Sequence, residues 1–253
     1  AALPSGPENR TDIKEAAQPI LRPLFSRVCY DAPLRILCVH GYRQNGSTFR
    51  EKTGALRKLL KKRVELVFVS APHRLPPPPG NTAEESGTGA GPGDEDPRGW
   101  WFSDTEARSF DAGQECEESL GLEESVDTVK GAVKEFGPFD GILGFSQGAA
   151  LVAMLCFLQE QKLEPEFCFR FAILVAGFCS ACSQHQRYYK GPPLTTPSLH
   201  IFGAEDRVIP ERMSKDLLPV FHDPQILTHP GGHFVPAASA HRQTYQDFLQ
   251  RFQ

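Results

Sequence analysis

The sequence predicts an α/β fold in which a mostly parallel sheet carries helices on both faces. Short apolar runs alternate with longer segments whose apolar residues recur every three or four positions. Strands that alternate with helices in this way pair in parallel, because each helix provides the crossover to the next strand. The chain has 253 residues, which is enough for one large domain that buries its own core.

Composition excludes several other classes of protein. Hydrophobic residues make up 40% of the chain and charged residues 23%, as in ordinary globular proteins. The formal net charge of -4 offers no basic excess to neutralise a phosphate backbone, so nucleic-acid binding is not expected. The most apolar run, at 149–158, is too short for a membrane-spanning helix. The 7 cysteines are scattered, which favours reduced thiols and a cytoplasmic protein over a disulfide framework.

The domain is predicted to begin at residue 34. Residues 1–33 show no sustained periodicity and contain several prolines, so we expect a flexible or foreign extension there. Within the domain, 34–253, a proline- and glycine-rich insert at about 72–99 interrupts the alternation of strands and helices. An insert of this length and composition is typical of a lid or of a disordered loop.

The first part of the domain contains two predicted strands. The apolar run at 35–40 is of the type that a buried parallel strand needs, and the run at 64–69 is a second. Apolar residues at helical spacing between them predict a helix. Thr48 and Glu51 offer a capping box at the start of that helix.

The second part of the domain continues the same alternation. The apolar residues of 122–136 are spaced four, three, four and three apart, which predicts an amphipathic helix. A strand at 140–145 and a nearly all-apolar helix from 147 to about 161 follow. The remaining predicted elements are strands at 169–176, 198–202 and 225–229, a helix near 211–219 and a C-terminal helix. The sheet should therefore contain about six strands.

The segment Gly144-Phe-Ser-Gln-Gly148 matches G-x-S-x-G, a turn that presents a nucleophilic serine. A predicted strand ends just before Ser146 and a predicted helix begins just after it. The Oγ atom of Ser146 would then project above the sheet at a helix N-terminus, where developing negative charge is favoured. The two glycines would remove Cβ atoms from a crowded turn. The alternative is an ordinary N-cap serine in a glycine-bounded turn.

Such a serine needs a base, and the base needs a carboxylate that orients it. Chain order in this type of site is serine, acid, histidine. Asp206 follows the fifth predicted strand and His233 follows the sixth, so both should reach the sheet edge at which Ser146 lies. Glu205 and His229 are the rival residues. The spacing Gly-x-x-Asp before an apolar pair and a proline favours Asp206, and His229 is predicted to lie in the strand rather than in the loop.

An oxyanion formed at Ser146 would need two backbone N–H donors. One should be the N–H of Gln147, the residue after the nucleophile. The other should come from the loop after the first strand, in which Gly41 permits a turn and Tyr42 is the best candidate. His40, at the end of that strand, is interpreted as a structural residue.

The chain resembles the FSH-type serine hydrolases of the α/β-hydrolase superfamily. The segments that carry the resemblance are Leu37–Gly41, Phe49–Arg57, Arg98–Phe102, Gly121–Ser125, Gly137–Gly141, Gly144–Ala149, Gly177–Cys179, Phe202–Gly203 and Gly231–Phe234. It covers residues 34–253 and leaves 1–33 outside. It implies an α/β-hydrolase fold and a carboxylic-ester hydrolase with Ser146, Asp206 and His233 as its triad. It also implies no metal or organic cofactor and an intracellular protein, cytoplasmic with nuclear access left open.

The substrate is predicted less closely than the chemistry. We expect a serine carboxylesterase that forms an acyl-enzyme and acts on a small-molecule ester with a medium to long alkyl or acyl chain, lipid-like esters included. Trp100 and Trp101 follow the insert and either line the substrate pocket or anchor the loop on the core. The alternatives are an acyl-protein thioesterase-like hydrolase, which shares Gly-Phe-Ser-Gln-Gly, and a non-catalytic binding protein of the same fold. Cys179 and Cys182, with His185, resemble half of a zinc site, which is too little to predict metal binding.

Overall fold

A computed structural model of the chain describes residues 32–76 and 96–253. The predicted extension, apart from residues 32 and 33, and the middle of the predicted insert lie outside these ranges. The strands are β1 (Leu34–Val39), β2 (Val64–Val69), β3 (His73–Arg74), β4 (Arg98–Gly99), β5 (Gly141–Phe145), β6 (Phe171–Val175), β7 (Ser198–Gly203) and β8 (Gln225–His229). The helices are α1 (Gly46–Lys52), α2 (Gly54–Leu59), α3 (Leu122–Phe136), α4 (Gln147–Glu160), α5 (Glu211–Leu217) and α6 (Arg242–Gln250), with 3₁₀ helices at Ser183–Tyr189, Leu218–Val220 and Ser239–His241.

Six strands form the central sheet in the order β2-β1-β5-β6-β7-β8, and every neighbouring pair is parallel. In the middle of the sheet, Cys38 lies opposite Leu143, and Leu143 lies opposite Ile173. The chain moves outward from β1 in one direction and from β5 in the other. Right-handed crossovers therefore place helices on both faces. The predicted α/β fold and its parallel six-stranded sheet are confirmed.

A second, small sheet joins the start of the insert to its end. Strands β3 and β4 pair antiparallel, with His73 opposite Gly99 and Arg74 opposite Arg98. The last described residues before the gap and the first after it therefore lie side by side. This pairing fixes where the chain returns to the domain after the residues that are not described.

The core forms where the sequence is most apolar. Strands β5 and β6 are buried along their whole length. Helix α4 packs against β1, β5 and β6, and eleven of its residues are buried, which explains why it lacks a polar face. Phe171 packs edge-on against Phe248 of α6, so the C-terminal helix is tied to the sheet as well.

The first predicted helix differs from the structure in two ways. It begins after Asn45, whose side chain accepts the N–H of Thr48 at 2.9 Å while the Thr48 hydroxyl accepts the N–H of Asn45. The capping box therefore lies three residues earlier than the predicted Thr48–Glu51 pair. The helix is also interrupted at Thr53, whose hydroxyl donates to the carbonyl of Phe49 at 2.7 Å. Such side-chain bonds compete with the regular helix ladder.

The cysteines of the described residues are free thiols, namely Cys38, Cys116, Cys156, Cys168, Cys179 and Cys182. Cys38 and Cys156 are fully buried, as their apolar surroundings predict, whereas Cys168 is exposed. Burial raises the pKa of Cys156 to about 12, so this thiol stays protonated. Within residues 32–76 and 96–253, no helix has the length and apolar character needed to cross a membrane. The cytoplasmic location stays a prediction.

Candidate active site

The candidate site lies where the order of strands reverses. Strands β1 and β5 are neighbours in the sheet, but the chain leaves them in opposite directions. A crevice opens at the carboxyl ends of two such strands, and ligands of open α/β sheets bind there. The loop from His40 to Gln44 follows β1, and Ser146 follows β5.

Ser146 occupies the sharp turn between β5 and α4. Its backbone has φ 56° and ψ -119°, a strained conformation for a residue other than glycine. The turn is held by the Ser146 N–H, which donates to the carbonyl of Val175 at 2.9 Å. A Cβ atom at Gly144 would lie 2.5 Å from the carbonyl oxygen of Gly148, and one at Gly148 would collide with the carbonyl of Val39. The structure thus contains the close approach for which the sequence predicted two glycines.

Asp206 and His233 are hydrogen-bonded to each other. His233 Nδ1 donates to Asp206 Oδ2 over 2.7 Å, and the other carboxylate oxygen accepts the N–H groups of Val208 and Ile209, each at 2.9 Å. The Asp206 side chain is 1% exposed and that of His233 is 20% exposed. Because the buried carboxylate accepts the Nδ1 proton, the Nε2 atom of His233 is left as the basic nitrogen.

Ser146 and His233 line the same open cleft, which has a volume of about 390 Å³. Its walls are formed by Gly41, Tyr42, Arg43, Gln44, Lys52, Phe145, Ser146, His233 and Phe234. The His233 ring packs on Phe145, with 4.7 Å between ring centroids. Among the described residues, no hydrogen bond joins the Ser146 hydroxyl to His233. Catalytic hydrogen bonds of this kind often form only when substrate is bound.

The two rival residues have other surroundings. The Glu205 backbone N–H donates to the carbonyl of Gly231 at 3.0 Å, and its side chain is exposed. His229 is buried at the end of β8, and its Nδ1 atom accepts the N–H of Gly231 at 3.2 Å. Neither residue lines the cleft at Ser146.

Both backbone donors expected for an oxyanion lie at this edge of the sheet. The N–H groups of Tyr42 and Gln147 have no acceptor among the described residues. The turn that carries Tyr42 has its left-handed residue at Arg43, with φ 72°. His40 is structural, as predicted. Its Nε2 atom accepts the N–H of Ala71 at 2.9 Å, and burial lowers its pKa to about 4.

The side chain of Gln147 makes contacts that the sequence did not predict. Its Oε1 atom accepts the N–H of Trp100 at 2.9 Å, and its Nε2 atom donates to the carbonyl of Trp101 at 2.8 Å. The Trp100 indole N–H donates to the carbonyl of His40 at 2.8 Å. The tryptophan segment therefore bridges the two loops that carry the candidate oxyanion donors.

Trp100 and Trp101 themselves do not line the cleft. They are 0% and 1% exposed, respectively, and belong to the core. The segment is bonded to His40, just after β1, and to Gln147 of α4, and the Trp101 ring packs edge-on against Phe110 and His185. The structure thus favours the anchoring role over the predicted substrate wall.

A model of the serine hydrolase family FSH1 matches residues 30–245 of the chain. The chain belongs to this family. The predicted family and the predicted serine hydrolase are thus both confirmed.

The sequence similarity to two relatives covers most of the chain. This FSH1 hydrolase is 72% identical to Esterase OVCA2 of Danio rerio over 226 residues, which cover 87% of this chain and 98% of that one. It is 50% identical to Esterase OVCA2 of Homo sapiens over 221 residues, 87% of this chain and 97% of the human protein.

Solved structures of lower identity show the fold. SOBER1 of Arabidopsis thaliana superposes with a TM-score of 0.56 at 18% identity, over 87% of this chain and 99% of the other. Acyl-protein thioesterase 2 of Zea mays gives a TM-score of 0.56 at 17% identity, over 86% and 94% of the two chains. The FSH1 hydrolase therefore has the α/β-hydrolase fold.

The FSH1 hydrolase also contains a second serine–histidine cluster, which the sequence did not predict. The ring nitrogens of His185 are each 2.7 Å from a serine hydroxyl, Nε2 from Ser119 and Nδ1 from Ser180. Burial and the charge of Arg187 lower the pKa of His185 to about 4. Since both nitrogens are occupied, His185 is not available to complete a zinc site with the nearby cysteines. No group of three or more metal-ligating side chains lies together in the described parts of the chain.

Proposed function

We propose that this FSH1 hydrolase cleaves carboxylic esters through Ser146, His233 and Asp206, by way of an acyl-enzyme. The observation that carries the proposal is the 2.7 Å bond between His233 and Asp206 on a wall of the cleft that Ser146 also lines. The relatives named as esterases support the choice of an ester as the bond that is cleaved.

In the first half of the reaction, the Ser146 hydroxyl attacks the ester carbonyl. His233 Nε2 accepts the hydroxyl proton, and the ring becomes positively charged. Asp206 holds Nδ1–H and stabilises that charge without taking the proton. The tetrahedral intermediate collapses when His233 gives the proton to the leaving alcohol, and the acyl group stays on Ser146.

In the second half, water hydrolyses the acyl-enzyme. His233 removes a proton from the water, which attacks the acyl carbonyl, and returns it to Ser146 as the carboxylic acid leaves. The N–H groups of Tyr42 and Gln147 would bind the oxyanion in both halves, and each such donor typically contributes a factor of about 10²–10³ to kcat. That neither has a described acceptor supports this role.

We expect the substrate chain to be medium to long. Tyr42, Phe145 and Phe234 give the cleft an aromatic side, and Phe234 is 48% exposed in the free protein. Each methylene group that becomes buried adds about 0.8 kcal/mol, or roughly fourfold in specificity. A series of p-nitrophenyl esters from acetate to decanoate should therefore show kcat/KM rising with length until the aromatic side is covered.

The decisive experiment combines a fluorophosphonate probe with two serine variants. We expect the probe to label the wild-type protein and Ser119→Ala at Ser146, with loss of fluoride, and to leave Ser146→Ala unlabelled. Ester turnover should fall by several orders of magnitude in Ser146→Ala, while its thermal unfolding temperature stays near that of the parent. Ser119→Ala is the matched control, because Ser119 also lies beside a histidine.

Two outcomes would redirect the proposal. Undiminished turnover in Ser146→Ala would show that another group performs the chemistry. A protein that neither reacts with the probe nor cleaves esters would be a binding protein of this fold. Comparison of matched oxygen esters and thioesters tests the thioesterase alternative, which predicts higher kcat/KM for the sulfur compounds.

A further inference from the structure

The cleft beside Ser146 has an uneven distribution of charge. Arg43 and Lys52 line it, and its described lining contains no carboxylate. The nearest acid of the site, Asp206, lies behind His233, and both of its oxygens accept hydrogen bonds. The mouth of the cleft is therefore positively charged next to the nucleophile.

Neither cation is neutralised within the described residues. Arg43 and Lys52 form no ion pair there. Arg98 of β4, by contrast, forms an ion pair with Asp96 at 2.9 Å. The described contact of the Arg43 guanidinium is the ring of Tyr42, 5.8 Å from its centroid. Both side chains are exposed, so they can meet a ligand from solution.

The backbone of Arg43 is held in an unusual conformation by hydrogen bonds. Its φ of 72° lies in the left-handed region, which disfavours a side chain such as arginine relative to glycine. The conformation is held by the Arg43 N–H, which donates to the carbonyl of Arg98 at 2.8 Å, and by that of Gln44, which donates to Gly41 at 3.2 Å. The Arg43 side chain therefore extends from a backbone position that these two bonds fix.

We propose that the ester substrate of this site carries an anionic group, a carboxylate or a phosphate, which Arg43 and Lys52 bind while the ester carbonyl lies at Ser146. This inference rests on the proposed function. The substrate is then amphiphilic: its hydrocarbon part lies along the aromatic side of the cleft, and its anion lies at the cationic mouth. A planar guanidinium can bind either oxyanion through two parallel hydrogen bonds, and the ammonium of Lys52 adds a point charge.

The test compares esters that differ only in a terminal charge. Mono-p-nitrophenyl suberate and p-nitrophenyl octanoate have the same chain length, and adipate with hexanoate forms a shorter pair. We expect kcat/KM to be about tenfold higher for the anionic member of at least one pair at low salt. The preference should shrink as salt is raised, since exposed charges are screened. The same comparison with a phosphate-bearing ester and its neutral counterpart distinguishes the two kinds of anion.

Three variants test which residues cause the preference. In Arg43→Gln combined with Lys52→Gln, the ratio of anionic to neutral kcat/KM should fall to about one. Arg43→Lys keeps the charge and should keep most of the ratio. Lys58→Gln removes a charge from α2, outside the cleft, and should leave both rates as in the parent. Because the readout is a ratio, a general loss of activity caused by the change beside Tyr42 cancels.

The outcomes separate this inference from the proposed function. A wild-type protein that cleaves both esters equally well, or whose preference survives the double variant, overturns the anionic substrate and leaves the esterase proposal intact. If instead Ser146→Ala retains the turnover of the neutral ester, the proposed function fails and the charge preference has no catalytic meaning.

Discussion

Ser146 and Ser119 each share a region of the molecule with a histidine, but the two regions differ in what lies behind the ring. Behind His233 is a buried carboxylate at 2.7 Å, whereas behind His185 is the hydroxyl of Ser180 at the same distance. A hydroxyl brings no negative charge to stabilise an imidazolium. His185 is accordingly a histidine that stays neutral, with its pKa lowered to about 4 by burial and Arg187.

The backbone after each serine differs too. The N–H of Gln147, after Ser146, has no acceptor among the described residues, but the N–H of Leu120, after Ser119, donates to the carbonyl of Phe102 at 3.2 Å. An oxyanion formed at Ser119 would therefore lack that donor. A short serine–histidine distance is thus a weak indicator of catalysis, and the acid and the free N–H distinguish the two clusters.

After the loss of the nucleophile itself, the largest effect is expected from the acid. Asp206→Asn keeps an oxygen for the N–H groups of Val208 and Ile209, but its amide favours the wrong tautomer of His233. We expect kcat/KM to fall roughly 10⁴-fold with little change in unfolding temperature. Ester turnover and thermal melting of the purified variant are the measurements.

The matched control for the acid is Ser180→Ala, in which the partner of the other histidine is removed. Its turnover should stay within about twofold of the parent. Equal losses in Ser180→Ala and Asp206→Asn would contradict the distinction between the clusters.

A smaller loss is expected from the side chain of Gln147. Gln147→Met keeps the backbone N–H but removes the bonds to Trp100 and Trp101. A small displacement of that N–H should lower kcat by roughly 10–100-fold, with KM little changed. Rates measured over a range of ester concentrations up to saturation give kcat and KM separately. A fall in kcat with an unchanged KM would support a role in positioning.

Helix α4 provides a matched control for Gln147. At its other end, Gln159 bonds the N–H and carbonyl of Phe169 at 2.7 and 2.9 Å, a similar two-way contact far along the helix from Ser146. Gln159→Met should lose stability to a similar degree but retain its kcat. If both variants lose kcat alike, the effect of Gln147 is one of general stability.

The smallest effect concerns the pH dependence of stability. His185 is neutral in the native state, with a pKa near 4, while in the unfolded chain it titrates near 6.5. As pH falls from about 6.5 to 4, the unfolded chain takes up a proton that the native state does not, so the free energy of unfolding falls. The contribution is at most about 1.4 kcal/mol per pH unit. The free energy of unfolding, measured by urea titration at several pH values, should fall less steeply between pH 6.5 and 4 in His185→Gln than in the parent. Identical pH dependence in the two proteins would contradict the assignment.

Periodicity and local spacing predicted most of the fold and selected the principal residues of the candidate site. Helix α3 was predicted with its observed bounds because one face is apolar and Gly137-Pro138 ends it. Ser146, Asp206 and His233 could be selected because each follows an apolar strand, and the carboxyl ends of parallel strands share one edge.

What the sequence could not predict depends on contacts between distant segments. Gln147 meets Trp100 across 47 positions, and no local pattern indicates that pairing. The cluster around His185 joins segments 66 positions apart. The left-handed conformation of Arg43 depends on the bond from its N–H to the carbonyl of Arg98, 55 positions away, which no local pattern indicates.

The small pair β3–β4 has a consequence for how the protein can vary. It holds His73 beside Gly99, so the path from there to Trp100 and Gln147 is set by the pair, whatever number of residues lies between its two strands. We expect that the segment 77–95 can be lengthened, shortened or replaced by a reporter sequence without changing that path. Changes in the length of this segment should therefore leave the bonds from Trp100 and Trp101 to Gln147 in place.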